Sequence, residues 1–152
     1  MYNKKVKISL SVTLGGIFML QFYASILIFI ATWVVIRIVV GIKVYVYLNS
    51  FEKKAKSVRL LYELIKQYIE SEDGGYACVI RKELRRYKLD NFSNSREAVE
   101  SYEKLVEDAL DQYEWLIRNF QLDNEYYKIM LDIIKRYSDI VEYLCLHKGQ
   151  KE

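Results

Sequence analysis

Between residues 6 and 48 the chain carries only three charges, Lys7, Arg37 and Lys43, and this run constrains the fold more than any other feature. About 20 apolar residues cross a bilayer as a helix, so the run is roughly twice the length needed. Three readings compete. A cleaved signal peptide begins with basic residues, which MYNKKVK supplies, but its apolar core spans about 7–15 residues and closes at a small-x-small site. Here the run continues well past that length without such a site. A two-helix hairpin uses the whole run and gathers Lys4, Lys5 and Lys7 with Lys53, Lys54 and Lys56 on one side of the membrane, as the positive-inside rule favours. Its midpoint, QFYASILIF, holds no Gly, Pro, Asn or Asp to turn the chain. Its second span also places Arg37 near the bilayer centre, at about 2.5–3.5 kcal/mol.

A single transmembrane helix fits best. Its hydrocarbon-facing part covers about residues 16–36, preceded by the more polar ISLSVTLGG. Arg37 then snorkels to the headgroups beside Trp33. Lys43, Tyr45 and Tyr47 suit the interface, where an apolar body and a polar tip are both solvated. Three lysines precede the span, whereas Arg37, Lys43, Lys53, Lys54, Lys56 and Arg59 end or follow it. That balance places the carboxyl-terminal domain in the cytoplasm. The expected organisation is a basic tail, membrane helix and interfacial extension over 1–49, followed by a helical domain over 50–152.

Beyond Leu48 the apolar period becomes helical. Val44, Leu48, Phe51, Ala55, Val58, Tyr62, Ile65 and Ile69 alternate steps of four and three, the spacing of a heptad seam. The spacing lets the membrane helix run on into the domain, although the alternating KVYVY argues against continuity. ESEDGGY ends the seam, Gly74 and Gly75 permitting a turn. A short helix over 76–88 carries Ala77, Ile80, Leu84 and Tyr87 on one side, and LDNFSN closes it. Asn94 and Glu97 have capping-box spacing. The next helix has the seam Val99, Tyr102, Val106, Ala109, Tyr113, Leu116 and Phe120. Asp123 is an expected N-cap, with Leu122 stapled toward Tyr127. A last helix buries Tyr127, Met130, Ile133, Ile134, Tyr137, Ile140, Val141 and Leu144, and stops at Gly149. The fold class is all-α: one amino-terminal transmembrane helix and a small antiparallel bundle of about four helices.

Charge is polarised along the chain. Residues 1–50 carry a net +5, residues 51–89 a net +4 and residues 90–152 a net −6. The short helix presents a basic face of Arg81, Lys82, Arg85, Arg86 and Lys88. The helix after it presents an acidic face of Glu100, Glu103, Glu107, Asp111 and Glu114. Opposed within or between subunits, the two faces attract. Alone, the basic face fits the phosphates of nucleic acid or lipid. The three segments around it have the rhythm of a helix-turn-helix, but the third would enter the major groove bearing five acids, Glu97, Glu100, Glu103, Glu107 and Asp108, which phosphate repels.

Cys78 and Cys145 match no zinc spacing and read as small buried hydrophobes. The chain has one histidine, His147, and no Glu-x-x-His pair, so bundle-type metal ligation is not expected. No cofactor loop or catalytic constellation is visible. The partners expected are the lipid bilayer and a protein or a second copy of the chain, with nucleic acid less favoured. The function read from the sequence is that of a membrane-anchored scaffold, adaptor or assembly subunit. A phosphate binder is the alternative, and a pore or lesion former resting on Ser11 and Gly15 comes third.

Overall fold

The computed structural model describes residues 2–148, with side chains from residue 18 onward. The side chains of Lys4, Lys5, Lys7, Ser11 and Gly15 lie outside the described residues, as does Gly149. The described chain is helical, with α1 at Tyr2–Ser71, α2 at Gly74–Leu84, α3 at Ser95–Asn119 and α4 at Asn124–Lys148. A single 3-10 turn, Arg85–Tyr87, extends α2. Contacts divide the chain into two units, Met1–Lys43 and Val44–Glu152.

In the first unit α1 carries the apolar run. Every residue from 18 to 43 is exposed, including Phe18 at 71%, Leu20 at 75% and Phe29 at 74%. α1 is one helix long and apolar enough to cross a membrane. QFYASILIF is helical throughout, so the hairpin turn does not form, and KVYVY is helical too. The β-branched residues there sacrifice a few tenths of a kcal/mol each of helix propensity, too little to break a helix propagated from both sides.

The second unit is a helical bundle. Its core is Phe51, Val58, Leu61 and Ile65 of α1, Ile80 and Leu84 of α2, Tyr102, Leu105 and Leu116 of α3, and Ile133 and Ile140 of α4, all at 0% exposure. Side-chain contacts fix the helix directions. Val58 meets Tyr102, Lys54 meets Asp108 and Tyr47 meets Trp115, so α3 runs against α1. Glu52 meets Tyr126, Arg59 meets Asp132 and Lys66 meets Tyr143, so α4 runs along it. α2 also opposes α1, because Glu83 bonds to Ser57 and Tyr87 to the Lys53 carbonyl. The bundle therefore departs from strict alternation, since α2 and α3 point the same way. The 88–94 connection achieves this by doubling back: Arg81 donates to the Phe92 carbonyl at 3.1 Å, and the Phe92 ring packs on Tyr68.

Local chemistry sets the helix ends. Glu72, at φ 51°, is the left-handed residue that ends α1. Gly74 and Gly75 do not form that turn but open α2, where the Asp73 side chain accepts from the Gly75 N–H at 2.8 Å. Asn94 caps α3 by accepting from the Glu97 N–H at 2.9 Å. Glu97 reaches back one residue further than in a standard capping box, to the N–H and hydroxyl of Ser93 at 2.6 and 2.8 Å. Those bonds, the backbone one foremost, hold the Glu97 carboxyl below its usual range. Before α4 the Tyr126 N–H bonds to the Asp123 carbonyl.

On α4, Tyr127 and Ile134 are 50% and 42% exposed and do not belong to the core. Tyr126 takes the inward place expected of Tyr127, packing on the core and donating to Glu52. Cys78 and Cys145 are both exposed rather than buried.

Candidate functional site

The five basic residues of the α2 region do not form one free cationic face. Arg81 turns toward Phe92, bonding its carbonyl and lying 4.7 Å over its ring. Arg85 pairs with Asp90 at 3.2 Å and Arg86 with Glu83 at 3.0 Å. Lys82 and Lys88 are exposed. Lys88 is the left-handed residue, at φ 60°, that closes the 3-10 turn.

The acidic residues of α3 are likewise served locally. Glu100 pairs with Arg96 and Glu114 with Arg118, each one turn away. Glu103 accepts from the Tyr137 hydroxyl, and partial burial together with that bond pushes the Tyr137 phenol up to about 12. Glu107 and Asp111 are exposed. Among the described residues no member of the basic set pairs with a member of the acidic set. The α3 acid that contacts α1 is Asp108, 3.2 Å from Lys54.

Of the interface set, Arg37 lies 5.0 Å over the Trp33 ring, while Lys43 and Tyr45 are exposed. Tyr47 instead joins the bundle, stacked on Trp115 at 4.2 Å between ring centroids.

Two clusters form that spacing along the chain does not show. The first joins α1 to α2. The buried Ser57 hydroxyl donates to Glu83 at 2.7 Å and lies 2.9 Å from the Tyr87 hydroxyl, which reaches the Lys53 carbonyl. Glu83 is 8% exposed and clamped by Arg86, so its carboxylate is occupied as an acceptor and serves as a latch between helices. Beside it opens a concavity of about 590 Å³ lined by Ser50, Lys53, Lys56, Ser57, Leu60, Glu83, Arg86 and Tyr87. Glu83 neutralises Arg86 in its wall, so the positive charge of the hollow comes from Lys53 and Lys56 of α1.

The second cluster joins α1 to α4. Asp132 accepts from Arg59 at 2.8 Å and from Arg136 at 3.1 Å, and Arg136 also lies over the Tyr62 ring. Burial pushes the Asp132 carboxyl up, but the bonds from Arg59 and Arg136 outweigh it and hold the group below its ordinary range. A depressed carboxyl stabilises the fold above its unfolded pKa and loses that contribution as pH falls through the folded value. The bundle should therefore weaken as pH drops below about 4. Asp132→Asn should be less stable than wild type at neutral pH, with the gap closing in acid. Denaturation midpoints at pH 7 and pH 3 check this; a gap that stays constant would remove Asp132 as the acid-sensitive group.

Comparison with protein-family models, with curated proteins and with solved structures returns no match for this chain.

Proposed function

We propose that the protein is a single-pass, membrane-anchored helical module that acts by protein–protein contact, as a scaffold, adaptor or assembly subunit, with its bundle in the cytoplasm. The observation that carries this reading is the contrast within α1. Residues 18–43 are apolar and exposed throughout, whereas Phe51, Val58, Leu61 and Ile65, further along the same helix, are wholly buried. A soluble chain does not leave so large a continuous apolar surface in water, and a bilayer removes that surface from water without further folding. The Arg37–Trp33 pair has the chemistry of an interface anchor.

Membranes washed in alkaline carbonate should retain the protein, and release into the wash would remove the anchor. Both native cysteines are exposed, so a membrane-impermeant maleimide reports sidedness without new mutations. Protection in intact cells and labelling on lysis is the expected result, while labelling of intact cells would place the bundle outside.

A second reading is favoured by the convergence of Lys53 and Lys56 on one hollow: a site for the phosphate of an anionic lipid. Each basic residue near such a surface contributes about 1 kcal/mol, screened by salt. Protein that prefers anionic over neutral vesicles, and loses the preference with Lys53→Glu and Lys56→Glu, supports it. An unchanged preference in that double variant rules it out.

A further inference from the structure

The turn between α3 and α4 borders a hollow of about 650 Å³, whose walls include Tyr113, Ile117, Phe120, Leu122, Asp123 and Tyr127. Small ligands occupy clefts of about 300–1,000 Å³. Ile117 and Tyr127 are 49% and 50% exposed, so apolar surface is left open there. Tyr113 is only 4% exposed, yet its hydroxyl makes no hydrogen bond among the described residues. That oxygen is not among the buried polar atoms sealed off from solvent, and the hollow that Tyr113 lines is where it is reached. Burial, and then the neighbouring Tyr127 phenol, hold the Tyr113 phenol above its usual value. It is therefore protonated at neutral pH and free to bond whatever enters.

Charge decides what the hollow takes. Between residues 114 and 128 the acids are Glu114, Asp123 and Glu125 and the bases Arg118 and Lys128, a net −1. Arg118 and Glu114 cancel each other one turn apart on α3. Asp123, Glu125 and Lys128 have no ion-pair partner among the described residues, so two carboxylates face one ammonium. The same field acts on Tyr126, whose phenol is raised first by its bond to Glu52 and by burial, then by the charges of Glu52, Glu125 and Asp123. α3 also ends here, and the last carbonyls of a helix attract cations. The start of α4 has the opposite polarity, which Asp123 and Glu125 offset. The aromatic walls act in the same sense, because a cation within about 6 Å of a ring centroid is drawn to the ring face. Elsewhere in the bundle the chain fills such places itself, with Arg81 over Phe92, Lys66 over Tyr143 and Arg136 over Tyr62. Among the described residues no cation lies over Tyr113, Phe120 or Tyr127.

We propose that this hollow binds a small organic cation, a primary ammonium group on an apolar stem. The ammonium N–H groups donate to the Tyr113 hydroxyl and the Asp123 carboxylate, and the stem lies against Ile117, Phe120 and Tyr127. An anion would meet the carboxylates unpaired. A bare metal ion would find one carboxylate among apolar walls, far short of the six or more oxygens that calcium takes. Every residue of the site belongs to α3, α4 and the turn joining them. The site is thus complete within the bundle and does not rest on the membrane-anchored reading.

Trp115 reports on the site, since its ring centroid is 6.0 Å from that of Phe120, and Trp33→Phe leaves it the single tryptophan. The full chain with that change, in micelles of a neutral detergent, is titrated with n-butylammonium. A saturable change in Trp115 emission is expected, and n-butanol, with the same stem and no charge, should give none. Tyr113→Phe and Asp123→Asn should each weaken butylammonium about tenfold, the loss of one hydrogen bond to a charged group. Neither should move the denaturation midpoint, because the Tyr113 hydroxyl has no partner in the chain and Asp123 serves the start of α4 through its backbone carbonyl. Glycerophosphoethanolamine then separates the sources of the ammonium group: displacement of butylammonium assigns the site to a lipid headgroup, and no displacement assigns it to a free amine. The absence of a saturable response, an equal response to butanol, or wild-type affinity in both variants overturns the proposal.

Discussion

Phe51→Ala should lower the stability of the bundle by about 3–5 kcal/mol, the cost of removing a buried phenyl and leaving its cavity partly unfilled. Phe51 is 0% exposed, and its ring centroid is 5.5 Å from that of Tyr113 and 6.4 Å from that of Tyr126. One side chain thus ties α1 to both α3 and α4, and none of the three helices can shift inward to fill the gap without disturbing the others. A domain of about 100 residues has a total stability of about 5–15 kcal/mol, so this change removes a large share of it. Denaturant titration of the full chain in detergent micelles, followed by tyrosine and tryptophan fluorescence, measures the loss. A change below about 1 kcal/mol would mean that the ring cluster is peripheral to the core.

Phe29→Asp should leave the bundle untouched and weaken membrane retention. Phe29 is 74% exposed on the first unit, so no packing is lost. An aspartate at the centre of a spanning helix costs about 2.5–3.5 kcal/mol, roughly a hundredfold in partitioning. A long apolar run absorbs part of that loss, so Ile26→Asp added to Phe29→Asp gives the sharper test. Carbonate-resistant protein should fall strongly in the double variant, while its denaturation midpoint stays at the wild-type value. Full retention of the double variant would mean that the bundle itself, and not the apolar run, holds the protein to membranes.

The sequence announced its helices more clearly than the faces they bury. The α1 and α3 seams were legible because each helix has a single apolar stripe, and Phe51, Val58, Tyr102 and Leu116 lie buried where the period puts them. Leu61 and Leu105 are just as buried but lie beside the strict seam, because a helix enclosed on two sides buries more than one line of residues. α4 was misread for the opposite reason. Tyr127 and Ile134 keep heptad spacing with true core residues, and periodicity cannot tell which of two adjacent stripes faces inward. The charged faces were legible as patterns, but their local partners were not. Arg81 on Phe92 and Arg85 on Asp90 depend on the 88–94 connection doubling back along α2, and the Ser57–Glu83 latch on α2 folding back against α1. No residue in LDNFSN marks that course.

The shared helix α1 has a consequence for synthesis. Its seam from Phe51 to Ile69 leaves the ribosome before its cover, of which α2 supplies only Ala77, Ile80 and Leu84 at once, while the rest follows with α3 and α4, ending near Ile140. At about 5–20 residues per second, an apolar stripe five turns long waits several seconds for its partners. During that interval the nascent chain offers a second greasy surface directly behind the exposed apolar run of residues 18–43. Whatever machinery receives the growing chain must accept the first and shield the second until α4 has been made.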